Sequence, residues 1–145
     1  MSAPRAVAAL LAALVTVQLS GCEQYLFQQS DRVQITSPQS NSTVHEPLTI
    51  SWTAQDFSPP DDGTFAVFID RDPMPPGDSM SDFAPQDRDG IYLLQRTSLH
   101  IPVLRQLTGI DPAEQNHHDV TVVILDRQGN RIGEYAGFTE FNVVR

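Results

Sequence analysis

Apolar residues in this chain recur at every second position in short runs, and proline, glycine or aspartate ends each run. Leu48, Ile50 and Trp52 alternate with Thr49 and Ser51, the pattern of a strand with one face buried and the other wet. Val33 and Ile35 alternate in the same way before Ser37-Pro38. Phe65 to Ile69 is an unbroken β-rich run suited to a central strand, and Val120 to Leu125 is the strongest strand signal of all. Ile91 to Leu94 and Leu99 to Val103 are further short strands, and Arg131 to Tyr135 leads into an extended finish through Phe138, Phe141 and Val143. Pro59-Pro60-Asp61-Asp62-Gly63 and the segment around Gly129 read as turns. A brief helical interruption is expected from Leu104 to Glu114, where Asp111-Pro112 supplies an N-cap and a first-turn proline. About seven short strands with no sustained helix predict an all-β chain, a single antiparallel sandwich over residues 33–145.

The beginning of the chain follows a different rule. Arg5 is the only charged side chain before an uncharged, mostly apolar stretch, Ala6 to Leu19, and small residues then lead to Cys22. A short basic start, a brief apolar core and small residues before a cut make a secretory signal peptide over residues 1–21. The run is too short for a spanning helix, which needs roughly 20 apolar residues.

The four residues Leu19-Ser20-Gly21-Cys22 resemble the bacterial lipoprotein signal. The resemblance implies diacylglycerol transfer to the Cys22 thiol, cleavage before Cys22, and a lipid bilayer as the first partner. Two or three acyl chains make a stable anchor where one would be marginal. Lipoprotein sorting resembles a code in which aspartate after the cysteine holds the protein at the inner membrane. Glu23-Gln24 departs from it, so the expectation is a lipid-anchored envelope protein, delivered to the outer membrane where there are two.

After the cut, 22–32 form a lipidated cysteine and short tether; Glu23 to Arg32, fully extended, reaches at most about 35 Å. Cys22 is the only cysteine, so the fold has no disulfide and must hold by burial. The mature part carries eight arginines, no lysine and eighteen acidic residues. Such an acidic surface disfavours nucleic acid and anionic membrane faces.

Within the sandwich, Ile35-x-x-Pro38 and Pro47-Leu-Thr-Ile-Ser-Trp52 resemble the first strands of bacterial immunoglobulin-like or fibronectin III-like domains. Val120 to Asp126 with Gly129-Asn130 is similar to their penultimate strand and last hairpin. The resemblance implies a spacer, adhesin or accessory binding module and not an enzyme. No Gly-x-Ser-x-Gly, glycine-rich phosphate loop or free thiol argues otherwise.

Two constellations could hold a cation. Asp70, Asp72, Asp87 and Asp89 fall within a long acidic loop, 70–90, and Asp87-Arg-Asp89-Gly90 resembles part of a Ca²⁺ loop. The full loop needs acids where Pro85 and Arg96 stand, so an EF-hand is excluded. His117 and His118 could ligate a transition metal, but neighbours on a strand point to opposite faces. In a sandwich of this topology the loops holding His45, residues 70–90 and His117-His118 share one pole, and the N-terminus enters at the other. The expected function is therefore a non-catalytic interaction or accessory module at the cell envelope, without cofactor, whose partner is an envelope or surface protein or a glycan. The alternative is a divalent-cation-binding envelope protein that uses the acidic loop and nearby histidines, with Ca²⁺ the candidate ion.

Overall fold

A computed structural model describes residues 28–29, 32–83, 85–112, 114–133 and 135–145. The signal peptide and Cys22 lie outside the described residues. Nine strands are present among them: β1 (Gln28–Gln29), β2 (Val33–Ser37), β3 (Ser42–His45), β4 (Leu48–Ala54), β5 (Thr64–Ile69), β6 (Ile91–Leu94), β7 (Ser98–Ile101), β8 (His117–Leu125) and β9 (Tyr135–Val144). They form two sheets, β2-β4-β7 and β9-β8-β5-β6, antiparallel throughout; β1 and β3 both add in parallel to β9. The chain is thus the all-β sandwich that the alternation predicts, with the immunoglobulin- and fibronectin III-like architecture that the resemblance implies.

The first strands wrap one edge of this sandwich. Gln28 and Gln29 pair with Tyr135 and Ala136 at the start of β9, so the sheet already includes two residues of the expected tether. The chain then crosses to the other sheet as β2 and returns as β3, beside Phe141 to Val144 at the far end of β9. Gly137 makes the crossing feasible. A Cβ there would lie 3.0 Å from the Val33 carbonyl oxygen, so any side chain would push β2 away by a few tenths of an ångström.

Between the sheets the inward residues of both alternate into one core. Ile50, Phe65, Val67, Val120, Val122 and Phe141 are completely buried. Trp52 and Phe57 each meet the Phe65 ring edge-on, at centroid distances of 5.4 and 5.1 Å. Each such side chain contributes about 1.5–3 kcal/mol by leaving water.

The long segment between β5 and β6 departs from expectation. It is a strap across the outside of the sheet, and not a solvated loop at one pole. Met74 and Met80, on its underside, are 1 % and 5 % exposed and pack with Ala66, Phe68, Val123 and Leu125 in a second core. This explains the unbroken runs of β5 and β8, whose strands are covered on both faces. Main-chain bonds stitch the middle of the strap to the β8–β9 turn. Arg131 N–H donates to the Asp78 carbonyl at 2.8 Å, Gly77 N–H to Arg131 at 3.2 Å, and Met80 N–H to Gly129 at 2.9 Å. The buried Arg131 guanidinium donates to the Met74 carbonyl, and burial holds its pKa below the usual arginine value.

Two single 3₁₀ turns, Met80–Asp82 and Pro85–Arg88, lie in the strap. The first is closed by a capping box between Ser79 and Asp82. The helix expected at Leu104 to Glu114 is absent from the described residues. Its cap signal yields isolated turns, Glu114 N–H to Asp111 and His117 N–H to Glu114, both 2.9 Å. Without an apolar stripe beyond the cap, nothing propagates it.

Candidate functional site

The two poles of the sandwich differ. One carries the turns 55–63 and 126–133 and receives the N-terminal chain through β1 and the start of β2. The other carries residues 46–47, the described parts of the connection between β7 and β8, and both ends of the strap. Asp70 roots the strap at this second pole. Its backbone has φ of 55°, which turns the chain out of β5. Its N–H still donates to the Asp119 carbonyl, at 3.0 Å. The carboxylate folds back onto β8: Oδ1 accepts from Asp119 N–H at 3.1 Å, and Oδ2 lies 2.8 Å from His118 Nδ1.

Of the residues singled out in the sequence, the structure brings together Asp70 and His118. The two histidines do point to opposite faces. His118 is buried against Phe141, while the half-exposed His117 faces Glu140 with 3.7 Å between Nε2 and Oε2. Asp89 pairs with Arg105 at 3.3 Å, and both side chains are largely exposed. Asp87 and Asp89 also give their main-chain carbonyls to Arg71, at 2.5 and 2.7 Å. Among the described residues no three His, Cys, Asp or Glu side chains are grouped so as to hold a metal ion.

Asp119 follows the two histidines in sequence as a third candidate ligand, but its burial beside Asp70 is not legible there. Burial pushes its carboxyl up to about 6, and the neighbouring charges of Asp70 and Asp72 push in the same direction. The available signal was its place on β8 directly after His118, but the partner strap lies far away in sequence.

A carboxylate holding one nitrogen of an imidazole resembles half of a catalytic triad. Here the other nitrogen, Nε2, is buried without a hydrogen-bond partner. It cannot take a proton from a molecule outside the fold. The pair is an internal tie, and its chemistry is structural.

The surface features that remain lie along β6, the last strand of its sheet. On its inner side a groove of about 380 Å³ runs between Ile69, Tyr92, Leu104 and Leu107, with Arg71, Asp89 and Arg105 on its walls. On its outer side a groove of about 330 Å³ is lined by Pro60, Met80, Leu93, Leu125 and Arg127. Tyr92 is 39 % exposed and Leu93 49 %. A half-apolar run at an unpaired edge was present in the sequence; which edge it would occupy was not.

No family model matches the chain, and no curated protein matches it. Among solved structures it is similar to the fibronectin(III)-like modules of Clostridium thermocellum CbhA, at 14 % identity and a TM-score of 0.42, over 77 % of this chain and 94 % of that one.

Proposed function

We propose that this chain is a lipid-anchored, non-catalytic interaction module of the bacterial cell envelope. The observation that carries the reading is the order of its parts: Leu19-Ser20-Gly21-Cys22, a short connecting stretch, then one sandwich. The N-terminal chain joins the sandwich at the pole of the 55–63 and 126–133 turns. An anchor at Cys22 therefore holds that pole toward the bilayer and leaves the opposite pole and the β6 edge to partners. The Asp70–His118 pair, sealed inside the fold, offers no proton-transfer group to a molecule outside it.

The test has two arms. Mass spectrometry of the mature protein should find acylated Cys22 as the first residue, and Cys22→Ser should release the protein from the membrane fraction. A scan of photo-crosslinking side chains over the exposed surface of the full chain in cells should then give discrete adducts with an envelope component. An unmodified, soluble wild type removes the anchor, and a scan without adducts removes the module. A saturable rise of Tm with Ca²⁺, lost in Asp70→Asn and Asp72→Asn, would transfer the function to cation binding.

A further inference from the structure

We infer that β6 is a docking edge: an extended segment of a partner protein, with a short aliphatic centre and flanking carboxylates, adds to it as a new strand. The inference rests on the interaction-module reading and gives that module its surface and its partner's chemistry.

The hydrogen-bond phase of the sheet fixes what the edge offers. Ile69 N–H donates to the Gly90 carbonyl, so Gly90 bonds toward β5. In an antiparallel ladder the phase repeats every second residue. Tyr92, opposite Val67, and Leu94, opposite Phe65, therefore bond toward β5 as well. The N–H and C=O groups of Ile91 and Leu93 point the other way, and the strand order among the described residues ends there.

Natural edges are commonly blunted by lysine, proline or a bulge. The run Ile91-Tyr92-Leu93-Leu94 has neither lysine nor proline, and its pairing with β5 runs without a register shift. Its two exposed side chains lie on opposite faces, Tyr92 in the inner groove and Leu93 in the outer one. Successive side chains of an added strand fall alternately toward these two grooves. This is strand addition, in which main-chain bonds hold the segment and alternate pockets select it.

Charge decides the occupant. The chain has net charge −9, yet Arg71, Arg96, Arg105 and Arg127 border the grooves along this edge. The carboxylates that line the grooves each have a partner: Asp70 has His118, Asp89 has Arg105, and Asp126 has the N–H groups of Gln128 and Asn130 in its own turn. Arg96 and Arg127 each donate to a main-chain carbonyl through Nε, which leaves terminal N–H groups for a carboxylate at the Leu94 end of β6. Arg105 stands in the groove at the Gly90 end, where Asp89 takes one N–H and the remaining donors face outward. A second copy of this chain, equally acidic, meets long-range repulsion where an acidic segment meets these arginines.

The experiment uses the full chain in detergent micelles and an acetylated, amidated octapeptide with four central valines between paired glutamates. Saturable binding should slow amide hydrogen exchange at Ile91 and Leu93 and leave Tyr92, already bonded to β5, unchanged. Leu93→Pro removes one outward N–H without touching the β5 ladder, so it should weaken binding at least tenfold while Tm holds. Leu93→Lys, which guards the edge with a charge, should do the same. An octapeptide with arginine in place of glutamate should bind at least tenfold more weakly. Absence of binding, binding without protection of Ile91 and Leu93, or full affinity in both Leu93 variants would overturn the edge. Crosslinks found in cells at other surfaces but not at position 93 would also overturn it and leave the module standing; no crosslinks anywhere would remove both.

Discussion

Asp70 Oδ2 lies 2.8 Å from His118 Nδ1, and the His118 side chain is completely buried. A carboxylate only accepts, so Nδ1–H is the donor of this bond, and Nε2 has no hydrogen-bond partner in the core. The strap is thereby tied to the second strand of the sheet it covers. Asp70→Ala removes this bond and the one from Asp119 N–H, and should destabilise the domain by about 1.5–3 kcal/mol in denaturant titrations. Asp70→Asn should shift the His118 proton to Nε2, because the amide can donate to Nδ1. Nitrogen-15 spectra of the imidazole read the tautomer directly, and an unchanged Nδ1–H in Asp70→Asn would refute the tie.

Asp119 makes stability depend on pH with a definite sign. Its carboxyl is raised from 3.8 to about 6, chiefly by burial and then by Asp70 and Asp72, so the folded state holds this proton more tightly than the unfolded chain. Where the native state binds more protons, stability falls as pH rises. The loss should run between about pH 4 and 6 and be complete above that. Asp119→Asn should remove this component of the slope and leave the domain more stable than wild type at pH 7, not less. Urea midpoints of both proteins across pH 4 to 8 decide it.

The alternating strands were legible because half-burial imposes a two-residue period that local sequence displays. The strap was not, since Met74, Met80 and Phe83 are isolated apolar residues among prolines and aspartates and carry no period. Its trace lay in β5, where Ala66 and Phe68 break the alternation that a one-sided strand requires. Two aspartates in the middle of the 70–90 segment show the consequence, for they lie beside the β8–β9 turn: the Asp78 carbonyl accepts from Arg131, and Asp82 caps the turn whose first residue bonds Gly129. The Asp70–His118 tie was equally hidden, because forty-eight residues separate its partners and the direction of Asp70 depends on a left-handed backbone.

The strap should behave as core. Phe68 and Met80 face it from below and within, at 0 % and 5 % exposure. Phe68→Ala should destabilise by about 3–5 kcal/mol and Met80→Ala by about 2–5 kcal/mol, as for any buried side chain that leaves a cavity. Over a solvated loop the Met80 substitution would stay within about 0.5 kcal/mol. Limited proteolysis adds a spatial readout, with cleavage between residues 72 and 88 appearing in Met80→Ala before any cut in the sheets.

Gly63 carries a constraint of another kind. It opens β5 at φ of 142°, and a Cβ built on it would lie 2.0 Å from the Leu125 carbonyl oxygen, at the end of β8. Both atoms belong to backbone, so no side chain can swing aside. Thr64 pairs with Leu125 immediately afterwards, which prevents the strand from backing away without breaking the ladder. Gly63→Ala should therefore cost about 2–5 kcal/mol, combining a glycine-only backbone region with overpacking. Gly77 has a positive φ as well, but nothing lies within 4 Å of its Cβ position, so Gly77→Ala isolates the conformational share at about 1–3 kcal/mol. If equilibrium unfolding gave the two variants equal losses, the close approach of Gly63 to β8 would be wrong; a markedly larger loss at Gly63 measures the contact itself.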